Sequence, residues 1–295
     1  MISYAQVKSG KLVAAQHADS AVPWWSFTKT VLAFAALILV RDKRLALDVP
    51  IDGYPFTLRQ VLRHQAGIAN YGALSDYHAA VDADAEPWSE EELFARTEAD
   101  RLRYPPGEGW DYSNIGYLLV RRLIERTTQE DLGPALHRLV LNPLGVTRPW
   151  IASSKGELCN ARMGTAMNYD PRWVYHGLLV GPLQDAATLL NRAMTSDLLP
   201  AHLLQAMQER CDVNWWGVNS AWTDRGYGLG VMIENVADGS LLVGHGGAGP
   251  GSVIAVYSSV SVPDLTCAVF SEGSDQSVVE KEVVRMLMSS HSFAQ

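Results

Sequence analysis

Apolar residues of this chain recur with two different spacings, and the change between them divides the sequence into segments. Near the amino terminus, residues 2–8 and 11–17 are short strand-like runs, and Ser9-Gly10 between them suits a hairpin. After residue 222, apolar, β-branched runs alternate with turn residues. We expect four strands there and a final amphipathic helix, at residues 227–235, 240–245, 252–260, 265–271 and 276–288.

Helical spacing dominates the middle of the chain. The apolar run of residues 30–40 predicts a buried helix that ends by residues 47–50. This run has only 11 residues, too few to cross a bilayer, and the charged residues 41–44 close it. Further helices are predicted between residues 57 and 209, at residues 58–64, 89–99, 116–126, 132–140, 182–194 and 201–209.

The order of these elements predicts the fold class. Strands at both chain ends and helices between them indicate an α+β protein, with an antiparallel sheet assembled from the two termini, flanking helices and an inserted, mainly helical lobe. We assign residues 1–25 and 220–295 to the sheet lobe with its carboxy-terminal helix, and residues 26–219 to the helical lobe. A chain of 295 residues with 47% hydrophobic content can bury a core of this size.

Composition and charge argue against several classes of function. A formal charge of -8 without a basic run argues against nucleic acid as a partner. Three scattered cysteines without C-x-x-C spacing argue against a disulfide framework or a thiolate metal site, and the histidines show no metal-ligand spacing. Residues 244–249 match the dinucleotide pattern G-x-G-x-x-G, but a strand-like run rather than a helix follows them. We therefore expect neither a metal nor a cofactor.

The amino-terminal residues give an expectation about the cellular compartment of the protein. Residues 1–7 lack the charged-then-apolar pattern of a signal peptide, and no apolar run is long enough to span a membrane. We predict a cytoplasmic protein without membrane contact, or a periplasmic or secreted one if a leader has been removed. The oligomeric state is not predicted.

A candidate nucleophile stands at the start of the buried helix. Ser26 precedes Lys29 by three residues, so on a helix the hydroxyl and the amine share one face. The unpaired N–H groups of a helix start favour a developing negative charge there. Serine is also a common N-cap without any chemistry, so S-x-x-K by itself leaves both interpretations open.

Two further stretches stand where a loop meets a regular element. Tyr112-Ser113-Asn114 follows a proline- and glycine-rich loop and precedes a predicted helix, and His245-Gly246-Gly247 ends a predicted strand. With Ser26-x-x-Lys29, in this order, the chain resembles the serine β-lactamases and penicillin-binding proteins, particularly the class C-like branch with its esterases and D-amino-acid peptidases. The resemblance covers nearly the whole chain and implies a β-lactamase/transpeptidase-like fold.

The resemblance implies catalytic roles for three of these residues. Ser26 would be the nucleophile, and either Lys29 or Tyr112 would take its proton; the sequence leaves this choice open. The phenol of Tyr112 would also protonate the leaving group. Its alternative role is that of a wall residue with a hydrogen-bonded hydroxyl.

The other motif residues would bind the substrate. By the resemblance, the backbone N–H groups of Ser26 and Ala248 form the oxyanion hole, and Gly246 and Gly247 let the substrate lie against the strand. Asn114 would bind a substrate carbonyl, unless it forms an Asx-type turn or an N-cap.

His245 and the tryptophans before Ser26 depart from the family pattern. The β-lactamases carry a lysine where His245 stands, and histidine is charged only part of the time at neutral pH, so recognition of a carboxylate is weaker. Trp24 and Trp25 stand where small residues are expected; they either narrow the acyl pocket or pack between the lobes, and packing is favoured.

These observations predict a serine hydrolase that acts through an acyl-enzyme. The expected substrates are small molecules: carboxylic esters, or small amides and peptides, including those with D-amino acids. One alternative is a β-lactamase or a D-alanyl-D-alanine carboxypeptidase. An alternative of another class is a penicillin-recognising sensor without turnover, or a scaffold.

Overall fold

Eleven strands and nine α-helices make up the computed structural model, which describes residues 1–213, 221–262 and 264–289. The strands are β1 (Ile2–Lys8), β2 (Lys11–Gln16), β3 (Ala21–Pro23), β4 (Trp150–Ala152), β5 (Leu178–Pro182), β6 (Cys211–Asp212), β7 (Asp224–Tyr227), β8 (Met232–Asn235), β9 (Leu241–Gly249), β10 (Ser252–Ser259) and β11 (Leu265–Glu272). The α-helices are α1 (Thr28–Arg41), α2 (Leu58–Leu62), α3 (Ser75–Asp82), α4 (Glu90–Thr97), α5 (Asn114–Thr128), α6 (Leu132–Leu136), α7 (Leu183–Thr195), α8 (Ala201–Met207) and α9 (Gln276–Ser289).

An antiparallel sheet of eight strands joins the two ends of the chain. Its order is β2-β1-β11-β10-β9-β8-β7-β6. The first strand pairs with the last, with Ile2 opposite Ser271 and Lys8 opposite Leu265. The predicted α+β fold, with a sheet built from both termini, is therefore confirmed.

Helices cover both faces of this sheet, which explains why its central strands are apolar throughout. In β11, Cys267 and Val269 belong to the cluster that contains Val283 of α9. The alternate residues Ala268 and Phe270 belong to the other cluster, on the α7 side. Because side chains of a strand alternate between two buried faces, both sets must be hydrophobic. Cys267 is thus a core residue.

The predicted lobes are only partly visible in this arrangement. Helix α7 comes from the segment assigned to the helical lobe, yet it packs against β1 and β11. The predicted boundary between residues 219 and 220 falls outside the described residues. The division into a sheet lobe and a helical lobe stays a prediction.

Helix α1 is the buried helix that the apolar run predicted. Its residues from Thr28 to Leu39 are all buried, which is why it is apolar on every side. It ends at Arg41 rather than near residues 47–50. No helix in the part of the chain described above has the length and apolar content to cross a membrane.

Several short elements were not predicted. A second sheet pairs β3, β5 and β4, and its strands have only three to five residues. The predicted strand at residues 227–235 is two strands, β7 and β8, joined by a turn in which Gly230 has a φ of +76°. Helix α3, without a buried residue, was also missed, since it has no apolar face to reveal its period.

Two carboxylic acids are buried on the side of the sheet that faces α9. Glu234 on β8 is 2% exposed and Glu280 on α9 is 6% exposed. Arg225 on β7 donates hydrogen bonds of 3.3 Å to both oxygens of Glu280, and its Nε lies 3.7 Å from Glu234. Burial raises the pKa of Glu234 to about 8, although Arg225 opposes this shift.

We predict that this acid makes the folded state less stable as the pH rises. In the unfolded chain Glu234 ionises near its ordinary pKa of 4.5, whereas in the folded protein it holds its proton until about pH 8. Its contribution to stability is therefore full below the unfolded pKa and is lost as the pH rises through the folded pKa. Glu234→Gln should reduce the fall in stability between pH 5 and 9, measured by urea denaturation, whereas Glu108→Gln at an exposed site should not. Parallel pH curves for parent and Glu234→Gln would contradict this prediction.

Candidate active site

Ser26 lies in a single 3-10 turn, Trp25–Phe27, which leads directly into α1. It is partly exposed, whereas its neighbours in the turn are buried. The N-cap of α1 is Phe27, and no side chain caps this helix. The interpretation of Ser26 as an N-cap is therefore wrong, and its hydroxyl is available for other partners.

Lys29 lies one turn further along, where the spacing placed it. Its side chain is fully buried, and Nζ lies 3.1 Å from Ser26 Oγ. The ring of Tyr112 stands beside the amine, 5.0 Å from Nζ to the ring centroid. Burial lowers the pKa of Lys29 well below its ordinary value, because a charged amine loses its hydration there. A neutral amine next to a hydroxyl can accept its proton.

Tyr112 is brought to this pair by the start of α5. Ser113 is the N-cap of α5; its Oγ accepts from Gly116 N–H at 2.9 Å and donates to the carbonyl of Ala69 at 2.7 Å. The hydroxyl groups of Tyr112 and Ser26 are hydrogen-bonded to each other. Burial raises the pKa of Tyr112, so the phenol keeps its proton at neutral pH.

His64 supports Tyr112 from behind. Its ring centroid is 4.2 Å from that of Tyr112, and its Nδ1 accepts the backbone N–H of Ser113 at 3.1 Å. Burial is the main cause that lowers the pKa of His64, which keeps the ring neutral. These contacts are those of a structural residue.

Asn114 is the first residue of α5 rather than its cap, so the N-cap interpretation is wrong. Its Nδ2 and its backbone N–H both donate to Oδ1 of Asn70, each at 3.1 Å. Asn70 therefore fixes the orientation of the Asn114 amide. Contact of Asn114 with a substrate stays a prediction.

The end of β9 forms the wall opposite the serine. A β-carbon on Gly247 would lie 2.8 Å from Cβ of Trp25 and 2.9 Å from the backbone nitrogen of Ser26. A side chain does not fit at this distance, so the strand and the nucleophile approach through backbone alone. Ala248 follows in the same strand, opposite Val253 of β10. The residues predicted for the oxyanion hole thus belong to two neighbouring backbone segments.

His245 is buried below this wall. Its Nδ1 lies against the carbonyl of Gly246, which can only accept, so Nδ1 carries the proton. Its Nε2 then accepts from the hydroxyl of Tyr227 at 2.9 Å. Burial is the main cause that lowers the pKa of His245 to about 3. The expectation of partial charge is wrong for this environment, in which the ring is neutral at pH 7.

Trp24 and Trp25 are both interior residues, in agreement with the packing interpretation. Trp25 donates from Nε1 to Ser252 Oγ at 3.0 Å and meets Tyr169 edge to face, 5.5 Å between ring centroids. A β-carbon on Gly249 would lie within 2.5 Å of the Trp25 ring. Trp25 also has a φ of +42°, a conformation that is strained for a bulky residue and that its packing maintains.

His176 was not singled out as a site residue. It precedes β5, is buried, and its Nε2 lies 3.3 Å from Nζ of Lys29. Nothing in the sequence indicates this contact, because 147 positions separate the two residues and no local spacing relates them. In the described part of the chain, no group of three or more His, Cys, Asp or Glu side chains is placed to hold a metal ion.

The chain matches a known protein family and is similar to a curated esterase. The family model described as Beta-lactamase matches residues 2–285. Esterase EstB from Burkholderia gladioli is 29% identical over 152 residues, which are 45% of this chain and 38% of the esterase. The chain spans less than two fifths of the length of the curated relatives that it matches.

Solved structures show the same fold over nearly the whole chain. A D-stereospecific amidohydrolase from Streptomyces sp. has a TM-score of 0.78 at 22% identity, covering 95% of this chain and 93% of its own. A D-amino acid amidase from Ochrobactrum anthropi SV3 has a TM-score of 0.79 at 20% identity, covering 99% and 94%. The predicted β-lactamase/transpeptidase-like fold is thereby confirmed.

The close approach of β9 to Ser26 predicts the effect of one added methyl group. Gly247→Ala should lower kcat/KM by about tenfold to a hundredfold, because the nucleophile must shift by a fraction of an ångström. The melting temperature should fall as well, because the added carbon would lie 2.8 Å from Cβ of the buried Trp25. Gly156→Ala is the control, since a β-carbon there is 3.9 Å from its nearest neighbour. Unchanged kinetics of Gly247→Ala on an ester substrate would show that the contact is not needed.

Proposed function

Because the chain belongs to the Beta-lactamase family, we propose that it is a serine hydrolase that forms an acyl-enzyme on Ser26. One observation carries this proposal: a partly exposed hydroxyl is in hydrogen-bond contact with both a buried amine and a buried phenol. This is the arrangement of an activated nucleophile with a base and a second proton carrier. The curated relative named an esterase is consistent with it.

The pKa directions favour Lys29 over Tyr112 as the base. Burial lowers the pKa of Lys29 and raises that of Tyr112, so the amine loses its proton and gains a free lone pair at a lower pH than the phenol does. In acylation, the Ser26 proton passes to Lys29 Nζ as the oxygen attacks the carbonyl carbon. Tyr112, hydrogen-bonded to the attacking oxygen, then donates its proton to the leaving group and regains one from the lysine ammonium.

The oxyanion would be held by the backbone N–H groups of Ser26 and Ala248. The 3-10 turn and the end of β9 approach each other where Gly247 contacts the Ser26 nitrogen. Donors built into backbone need no reorganisation when the negative charge develops, which is the source of their effect on rate. Gly247 leaves the face of β9 toward Ser26 free of a side chain, whereas a β-carbon on Gly246 would lie 2.3 Å from Gln276 Nε2, on the α9 side of the sheet. Asn114 would bind the carbonyl of the substrate.

The neutral state of His245 narrows the substrate class. A cation at this wall would strengthen the binding of a β-lactam or of a peptide with a free carboxylate, and a buried imidazole with a pKa of about 3 does not supply one. Esters and amides without a carboxylate do not need it. Two of the similar structures are named as a D-stereospecific amidohydrolase and a D-amino acid amidase. We therefore include amides of D-amino acids beside simple esters among the small-molecule substrates.

Kinetic and labelling assays distinguish this function from its two alternatives, an enzyme that acts on β-lactams or D-alanyl-D-alanine peptides and a protein without turnover. A β-lactamase or carboxypeptidase would hydrolyse a chromogenic cephalosporin or a D-alanyl-D-alanine peptide faster than a p-nitrophenyl ester. A penicillin-recognising sensor would be acylated without turnover, and a scaffold would not be acylated.

The cytoplasmic location also stays a prediction.

The nucleophile can be identified by covalent labelling. A fluorophosphonate should add one adduct, and peptide mass spectrometry should locate it on Ser26, because this hydroxyl alone is paired with a neutral amine in our proposal. Ser26→Ala should not be labelled, whereas Ser153→Ala, at an exposed serine, should be labelled like the parent. Equal labelling of Ser26→Ala would refute the proposed nucleophile.

Loss of either proton carrier should reduce turnover strongly. Lys29→Met, similar in volume, and Tyr112→Phe should each lower kcat/KM on a p-nitrophenyl ester by about 10²- to 10⁴-fold, the usual contribution of a positioned acid or base. Circular dichroism should show an intact fold. Lys43→Met and Tyr54→Phe, at exposed positions, are the matched controls and should keep parent kinetics. A near-normal rate in Lys29→Met or Tyr112→Phe would remove that residue from the mechanism.

The pH profile distinguishes the two candidate bases. With Lys29 as base, kcat/KM on an uncharged ester should rise as the amine loses its proton and level off well below pH 10.5, the ordinary lysine pKa. With a Tyr112 phenolate as base, the rate should instead keep increasing above pH 10.0, the ordinary tyrosine pKa, because burial raises it further. A profile of the second kind would contradict the assignment of Lys29.

A further inference from the structure

The buried amine of Lys29 has an unusual set of neighbours. Among the described residues, its hydrogen-bond partners are Ser26 Oγ at 3.1 Å and His176 Nε2 at 3.3 Å, and no carboxylate lies within ion-pair distance. The proposed mechanism uses Ser26 and leaves His176 without a role. A buried imidazole is expensive to desolvate, so its presence here needs a physical reason.

We infer that His176 is a positioning residue, whose Nε2 accepts a hydrogen bond from Lys29 and so directs the amine lone pair toward Ser26 Oγ. This inference rests on the proposed function. It concerns the orientation of the base, since His176 itself does not contact the hydroxyl that reacts.

The positioning role of His176 follows from the number of hydrogen-bond donors and acceptors on a neutral amine. Such an amine has two N–H donors and one lone pair, and rotation about the Cε–Nζ bond changes the direction in which each of them points. If the lone pair is to receive the Ser26 proton, the N–H groups must point elsewhere. An acceptor at the His176 position fixes one of them. The imidazole must then carry its own proton on Nδ1.

The ring has no competing partner. His176 Nδ1 is buried and makes no hydrogen bond within residues 1–213, 221–262 and 264–289, so the contact with Lys29 is the single polar contact of this side chain there. An apolar residue would fill the same space without leaving a nitrogen unsatisfied. The imidazole therefore costs stability, and the acceptor that it offers to Lys29 is the evident compensation.

The chain segment around His176 is anchored to the helix that carries Lys29. The backbone N–H of Leu179 donates to Oγ1 of Thr28 at 3.2 Å, one residue before Lys29. On the other side, Arg121 of α5 donates to the carbonyl of Tyr175 at 3.1 Å. These hydrogen bonds fix the position of the His176 segment relative to helix α1, as a positioning role requires.

The other titratable groups near this pair do not supply the same function. His64 and His245 are neutral and hold other partners, the Ser113 N–H and the Tyr227 hydroxyl respectively. Tyr112 and Tyr117 present their ring faces to Nζ, at 5.0 and 5.8 Å from the centroids. Burial is the main cause that lowers the pKa of His176, and the positive charge of Arg121 lowers it further. The imidazole therefore stays an uncharged acceptor.

The test compares two substitutions at one position. Glutamine can place an oxygen acceptor near the position of Nε2, whereas leucine cannot accept a hydrogen bond. His176→Leu should lower kcat/KM on a p-nitrophenyl ester by about tenfold to a hundredfold through misorientation of the base. It should also move the acid limb of the pH profile to lower pH, because the ammonium form of Lys29 loses an acceptor. His176→Gln should restore most of the rate and the position of the limb.

One further measurement distinguishes a failure of this inference from a failure of the proposed function. The pKa of Lys29 can be followed by nuclear magnetic resonance of ¹³C-labelled lysine, assigned by its absence in Lys29→Met, and this readout needs no turnover. A lower Lys29 pKa in His176→Leu than in the parent and His176→Gln supports the inference, even if fluorophosphonate labelling of the parent fails and the hydrolase proposal falls. Equal pKa values and pH profiles in all three proteins would overturn it, whatever the loss of melting temperature. His202→Gln, at an exposed histidine, is the control.

Discussion

Removal of the Lys29 amine from water, without a carboxylate beside it, is the constraint on which the site depends. A charged amine in that position would lose its hydration and gain no ion pair, so the neutral form is favoured. The surrounding residues preserve this balance because they are uncharged: three buried histidines whose pKa values are lowered, and tyrosines whose pKa values are raised, at positions 64, 176, 245, 112 and 117. The lowered pKa of Lys29 follows from desolvation rather than from repulsion by one neighbouring cation.

The fold provides this environment through the placement of α1. The helix is apolar on every side because it is enclosed, and the same enclosure removes solvent from Lys29 near its first turn. Ser26 escapes burial because it lies in the 3-10 turn before the helix, at the edge where β9 ends. A buried base and an accessible nucleophile thus come from two consecutive turns of one chain segment.

Close backbone contact forms the second half of the site. Gly247 and Gly249 let β9 approach the Ser26 nitrogen and the Trp25 ring, and Trp25 is held in a left-handed conformation by its bond to Ser252. The strain at Trp25 is offset by burial of its large ring. Trp25 therefore packs in the interior, and its contacts connect the turn that contains Ser26 to the strands of the sheet.

The sequence by itself determined the elements and the chemistry that local patterns encode. Alternating runs and helical spacing predicted β1, β2, the four late apolar runs and α1, and the spacing of Ser26 and Lys29 placed hydroxyl and amine on one face. Short motifs predicted Tyr112 and the His245–Gly247 strand end as companions of that pair. Three-residue strands such as β3 and β4 carry too little pattern to be read, and their pairing is wholly non-local.

Only the tertiary structure decided the states of these groups. His245 was expected to be partly charged, but its burial and the Tyr227 hydroxyl make it a neutral acceptor. Asn114 was compatible with an N-cap until Ser113 was seen to cap α5. His176 comes to Lys29 across 147 positions because β5 is hydrogen-bonded to Thr28. The protonation states and orientations of these side chains depend on burial and on contacts between distant segments. A local sequence pattern does not determine either of them.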